Sequence, residues 1–254
     1  MEAPAPARTP ARTPDVGIPP RPWGVPAILA ALAVPFVLWA SSLAIAIAQG
    51  TPEDLSDGEI VANLVLQILI LDGIFVGAPV AFCLWRYRRG WEGLGLRPFD
   101  RNFWWLPLTA AASAWVAMYV YSLVLYLAGG ENAAPRQEDI DQLFESRALL
   151  PLTGVATVLV APVAEEVFFR GFVFAGLLRP LGLLPAMAAS GLVFATFHVT
   201  GADSAGLVLP FAVIGMLFAW VYYRTGSLWP SIVTHLIFNL VSFIVLAAAA
   251  GGST

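Results

Sequence analysis

LLPLTGVATVLVAPVAEEVFFRGFVFAGLL, residues 149–178, decides how this chain folds. Its only charged residues are Glu165, Glu166 and Arg170. A helix needs about 20 apolar residues to cross a bilayer, so this run reads as a membrane span longer than one crossing requires, with its charges in the second half. Six more apolar runs flank it: 23–48, 60–85 and 103–128 before it, and 183–199, 206–223 and 229–248 after it. Of these, 183–199 and 206–223 are short. The expected fold class is therefore all-α, a polytopic transmembrane helical bundle of about seven spans. Residues 23–250 form one membrane domain without an internal repeat. RQEDIDQLFESR, residues 136–147, reads as a polar surface helix and not as a span.

Composition agrees. Of 254 residues, 59% are hydrophobic and 12% charged, against about 45–50% and about 25% in an ordinary soluble domain. The 13 basic and 17 acidic side chains are too few to clothe a soluble body this apolar. The same ratio excludes a disordered chain. A net charge of −4 without a basic stripe argues against a nucleic-acid partner; the bilayer is the partner composition implies. Every basic residue is Arg, and with the abundant Ala this suggests a GC-rich bacterial genome, hence a bacterial cytoplasmic membrane. Residues 1–22, rich in Pro, Ala and Arg, read as a disordered cytoplasmic tail. The apolar run that follows is too long for a signal peptide. The single Cys83 excludes an internal disulfide and reads as a small core hydrophobe.

Arg placement sets the orientation. Arg8, Arg12 and Arg21 precede the first span; Arg86, Arg88, Arg89, Arg97 and Arg101 follow the second; Arg179 follows the fourth and Arg224 the sixth. The intervening loops carry mainly Asp and Glu. The pattern predicts a cytoplasmic N-terminus, seven crossings and a C-terminus outside.

An ionisable side chain inside a bilayer costs about 2.5–3.5 kcal/mol and is by default a functional candidate. Four stand out: Asp72, Glu165, Glu166 and Arg170. The chain's only two histidines, His198 and His235, also fall in apolar segments. In VAPVAEEVFFRGF (160–172), Glu166 and Arg170 are four apart and share a face, so they can pair. Glu165 points about 100° away and has no partner on its own helix. One carboxylate is neutralised; the other is left as a desolvated proton acceptor. Pro162, just upstream, is placed to kink the helix and admit water. In SGLVFATFHVT (190–200), Phe194 can wall the His198 ring. In GSLWPSIVTHLIFNL (226–240), His235 and Asn239 share a face. There Asn239 orients the imidazole, donates to a developing oxyanion, or joins the His in a packing contact. Asp72, in LILDGIF, reads as structural: it caps or kinks the second span beside Gly73, or bonds across helices.

Depths agree in part. With the turn between the fourth and fifth spans near residue 182, Glu166 and His198 each lie 16 residues from it, roughly 24 Å. His235 lies 9 residues past Gly226, roughly 14 Å. That gap of about 10 Å closes if the 170–190 hairpin projects into the cytoplasm.

The three ordered motifs, EEVFFR (Glu165–Arg170), FATFH (Phe194–His198) and HLIFN (His235–Asn239), resemble those of the CPBP family, the CAAX protease and bacteriocin-processing membrane proteins. The resemblance covers about residues 150–240, which would be the catalytic core. It implies an α-helical intramembrane endopeptidase acting on protein or peptide substrates. In that family's terms Glu165 activates water and His198 assists. His235 and Asn239 stabilise the oxyanion, while Glu166 and Arg170 shape and neutralise the site; Phe194 is a candidate substrate contact. Glu165, His198 and His235 also make a three-ligand zinc set. They come from three separate helices, however, without an HExxH pair, and the metal-free glutamate mechanism is the preferred expectation. The alternatives are a non-catalytic scaffold or bacteriocin-immunity protein of the same family, or a proton-coupled carrier. The confinement of charge to one half disfavours the carrier.

Overall fold

A computed structural model describes residues 18–49, 56–130, 144 and 148–251. Among them there is no strand, and seven helical runs follow one another. We number them α1 (Val25–Gln49), α2 (57–86), α3 (Leu106–Gly129), α4 (Leu150–Leu181), α5 (Leu183–Thr196), α6 (Val208–Thr225) and α7 (Leu228–Gly251). Each matches an expected span to within three residues at either end. All but α5 are long and apolar enough to cross a membrane. A short 3-10 turn, Ala205–Leu207, leads into α6 and brings that crossing to 21 residues, so the sixth run is not short as expected. The fifth is: its 14 residues rise only about 21 Å. The expected 136–147 surface helix lies outside the described residues except for Phe144, which is buried against Phe243.

α4 and α6 form the centre of the bundle, while α1, α2, α3 and α7 leave much of their surface to the outside. The outward residues are apolar (Leu29 and Val37 on α1, Leu69 on α2, Leu127 on α3), as a lipid-facing surface requires. The core is aromatic. Phe75 of α2 stacks on Phe168 at 4.7 Å and meets Phe169 edge-on at 5.1 Å, and Phe169 in turn meets Phe194 of α5. α5 and α6 approach through two glycines: a Cβ on Gly191 would lie 2.6 Å from the Ala212 carbonyl, and one on Gly215 would lie 2.8 Å from the Gly191 Cα. Small residues at such crossings let backbones close without a hydrophobic drive.

Several helices widen locally to π-helical turns, at Gln67–Asp72, Ala81–Arg86, Val155–Val160 and Glu166–Phe174. Such turns cluster at functional sites; here the EEVFFR motif begins in regular α-helix at Glu165 and continues in the longest of them. The 32 residues of α4 span roughly 48 Å, well beyond the ~30 Å hydrocarbon core, in keeping with a projecting α4–α5 hairpin.

Most Arg-bearing segments gather at one end of the bundle. The expected tail is packed where it is described: Ile18 and Arg21 are buried, and the Arg21 guanidinium donates to the Tyr222 hydroxyl at 2.6 Å. Residues 18–22 are thus part of the fold, because Arg21 finds a polar partner and Trp23 stacks on Phe172 while donating to its carbonyl at 3.0 Å. Residues 1–17 lie outside the described residues. In the α2–α3 loop, Arg97 Nε donates to the Gly226 carbonyl at 2.6 Å, and the Leu228 N–H donates to the Gly95 carbonyl at 2.9 Å. Gly95, at φ +96°, packs its bare Cα on the Tyr222 ring, where a Cβ has no room. Exposed Trp85, Trp91, Trp104 and Trp105 surround this loop, as an interfacial aromatic belt would. Cys83 is fully buried, as expected.

Candidate active site

α4, α5 and α7 each bring one motif to a common point. The adjacent carboxylates Glu165 and Glu166 point in different directions, as helical spacing predicts. Glu166 is fully buried and has three partners. Arg170 Nη1 lies 2.8 Å from its Oε1, His235 Nδ1 lies 3.0 Å from the same oxygen, and the Ser231 hydroxyl donates to Oε2 at 2.6 Å. Arg170, also fully buried, has its guanidinium over the rings of Phe194 at 4.4 Å and Phe218 at 5.1 Å. Buried charges persist when they are paired and hydrogen-bonded; here the aromatic faces add cation–π attraction.

Glu165 is partly exposed, and its Oε2 has no hydrogen-bond partner. That oxygen lies 3.9 Å from His198 Nε2 and 3.9 Å from His235 Nε2. The ring tautomers follow from the partners. His198 Nδ1 lies 2.9 Å from the Phe194 carbonyl, which can only accept, so Nδ1 carries the proton. His235 Nδ1 donates in the same way to Glu166. A neutral ring at either position would turn an Nε2 lone pair towards Glu165. Packing fixes the rings: Phe194 lies 4.2 Å from His198, Phe211 lies 4.7 Å from His198, and Phe218 lies 4.8 Å from His235.

The remaining sequence candidates fall as follows. Phe194 is buried between Arg170 and His198 with one edge on the cavity, and it serves the site as a wall. Asn239 donates its side-chain amide to the Thr157 carbonyl on α4 at 2.8 Å, while the His235 Nδ1 is held by Glu166. Asp72 ends the widened turn of α2 beside Gly73 and caps no backbone N–H. It is buried, and its Oδ2 has no hydrogen-bond partner. Sequence reasoning missed Ser231, Phe218 and Thr157. Ser231 stands four residues before His235 on the same face, a signal that was available.

A cavity of about 540 Å³ opens onto Glu165, His198, His235 and Asn239. The rest of its lining is largely apolar and includes Trp39 of α1, Ile70 of α2 and Phe238 of α7.

The donor types suit zinc: two imidazole Nε2 lone pairs, each backed by an Nδ1–H bond, and a carboxylate. The spacing does not. Ligands about 2.0–2.1 Å from a tetrahedral zinc stand about 3.3 Å from each other, against 3.9 Å here. Among the described residues no cluster of three such side chains is arranged to hold a metal. The residues as they stand do not fit the ion.

Residues 147–241 match the family described as type II CAAX prenyl endopeptidase Rce1-like. Over 109 residues the chain is 29% identical to "Putative membrane peptidase YdiL" of Bacillus subtilis (strain 168), covering 43% of this chain and 42% of that protein. The chain thus spans less than half the length of this curated relative. No solved structure matches it. The likeness to the CPBP family carried by the three motifs is therefore borne out over residues 147–241, the segment that holds every candidate site residue from Glu165 to Asn239.

Proposed function

We propose that the chain is an intramembrane endopeptidase that hydrolyses peptide bonds of membrane-associated proteins or peptides. Glu165 is the general base. The observation that carries this reading is its unpartnered Oε2, 3.9 Å from two imidazole Nε2 atoms. A water in that gap lies within hydrogen-bond reach of all three groups. It donates one proton to Glu165 and is oriented by His198, and its oxygen attacks the substrate carbonyl carbon. His235, with Nδ1–H held by Glu166, is the ring best placed to carry an additional proton at Nε2 before the substrate binds; that N–H hydrogen-bonds the oxyanion, and the proton stays on the ring when the intermediate collapses. Glu166 balances the charge of that imidazolium, and Arg170 keeps Glu166 charged. Glu165 then passes its proton to the leaving amine, and the C–N bond breaks. The apolar cavity suits a substrate segment that arrives from the bilayer.

The reading is of a metal-free glutamate mechanism. Glu165→Gln and His198→Ala are expected to abolish cleavage, by at least a hundredfold, while the protein still inserts and purifies as a folded monodisperse species. Substrates are sought as membrane proteins that accumulate uncut in Glu165→Gln cells and are cut when purified wild type is added. Normal cleavage by Glu165→Gln would end the proposal. Dialysis against EDTA or 1,10-phenanthroline is expected to leave cleavage within twofold of the untreated protein; inactivation reversed by added zinc would overturn the metal-free part.

A further inference from the structure

Asn239 shares a helix face with His235 but spends its side-chain amide elsewhere, on the backbone of α4. The reason lies in the widened turn Val155–Val160. At its end the Ala161 N–H bonds the Ala156 carbonyl, five residues back. In that register the next carbonyl, that of Thr157, awaits the N–H of residue 162. Residue 162 is Pro and has none. The carbonyl thereby left without a helical donor is the one that Asn239 Nδ2 reaches at 2.8 Å. The Thr157 hydroxyl cannot substitute, since it is turned back to the Thr153 carbonyl at 2.8 Å.

We propose that Asn239 is a positioning residue whose amide replaces the backbone donor missing at Pro162, and that it sets Glu165 by holding the widened turn of α4. α7 then grips α4 at two places. Asn239 holds Thr157 on one side of Glu165, and Ser231 with His235 holds Glu166 on the other. Glu165 is fixed between two points supplied by the helix that carries one of its histidine neighbours. Asn239 thus acts on the site through the α4 backbone.

The test exploits the proline. Pro162→Ala returns a backbone N–H to the turn, so it should make Asn239 dispensable. Full-length protein in nanodiscs is compared as wild type, Asn239→Leu, Pro162→Ala and the double variant. Hydrogen–deuterium exchange is read over 155–165. Asn239→Leu is expected to raise exchange there at least tenfold, and the double variant to return it to within threefold of wild type. Asn239→Asp, which keeps the shape and loses the donor, should behave as Asn239→Leu; Asn239→Gln, which keeps the donor, should fall between. These two decide the question if Pro162→Ala does not fold. Unchanged exchange in Asn239→Leu and Asn239→Asp would overturn the proposal. Cleavage supplies the second readout and rests on the endopeptidase reading. Asn239→Leu should lower kcat at least tenfold, and the double variant should recover most of it. A double variant with native exchange and no recovered cleavage would place Asn239 on the substrate and overturn the proposal. If wild type cleaves nothing, the endopeptidase reading fails, while the exchange measurements still decide the role of Asn239.

Discussion

Two adjacent glutamates in one helix have opposite energetic characters. Glu166 is closed in by Arg170, His235 and Ser231; Glu165 keeps an oxygen without a partner. Removing one member of a buried ion pair leaves the other uncompensated, at about 3–5 kcal/mol. Glu166→Gln should therefore lower the melting temperature of the purified protein markedly, because Arg170 is left as a buried unpaired cation. Glu165→Gln removes a partly buried carboxylate whose Oε2 has no hydrogen-bond partner, and should melt at or above the wild-type temperature. Thermal unfolding of both variants in the same detergent checks this, and a Glu165→Gln protein that melts below Glu166→Gln would contradict it. The pairing itself was legible in the sequence, because spacing of four on a helix decides it. So was the wall that Phe194 makes for His198. The contact of Asn239 was not. Its partner is a backbone carbonyl, exposed by a missing N–H in a local register that side-chain patterns do not record.

At the scale of the helix, apolar length located the seven runs but said little about how each is wound. An unbroken apolar run has no polar face to betray whether neighbours recur at four or five residues, so the widened turns of α2 and α4 left no trace in the periodicity. The α5–α6 crossing was equally hidden, since Gly191 and Gly215 lie in different runs and only packing pairs them. Their closeness has a consequence. A methyl at Gly191 would meet the Ala212 carbonyl at 2.6 Å, a backbone atom that cannot step aside. Overpacking of this kind costs about 1–3 kcal/mol. At roughly 2–4 °C per kcal/mol for a chain of this size, Gly191→Ala should lower the melting temperature by several degrees. Gly77→Ala on α2, where the added methyl meets nothing within 4 Å, should be neutral or slightly stabilising. Equal effects at the two positions would mean that the crossing is looser than its geometry implies. Because α5 carries His198 just beyond its end, Gly191→Ala should also weaken cleavage more than its stability loss alone would.

For the whole molecule, the Arg positions predicted one sidedness and the fold supplies an independent argument about the termini. Arg21, just before α1, bonds Tyr222 near the end of α6, and the loop after α2 bonds Gly226 and Leu228 at the start of α7. The beginning of α1, the end of α2, the end of α6 and the beginning of α7 therefore share one end of the bundle. From that end α7 runs 24 residues, about 36 Å, enough to reach the other side of a ~30 Å core. The beginning of α1 and the end of α7 must then lie on opposite sides, whether or not the short α5 counts as a full crossing. That end carries Arg21, Arg86, Arg88, Arg89, Arg97, Arg101 and Arg224, and the positive-inside rule assigns it to the cytoplasm. In a bacterial host, alkaline phosphatase fused after Thr254 should be active and green fluorescent protein fused there dark. Green fluorescent protein fused after Arg97, in a chain ending at that loop, should be bright. A bright fusion after Thr254 would contradict the orientation, and if the Arg97 fusion were bright as well it would also contradict the separation of the termini. If the fusions bear out this sidedness, the widened half of α4 that carries Glu166 and Arg170 lies towards the cytoplasmic end, and the proposed substrates would be cut on the inner side of the membrane.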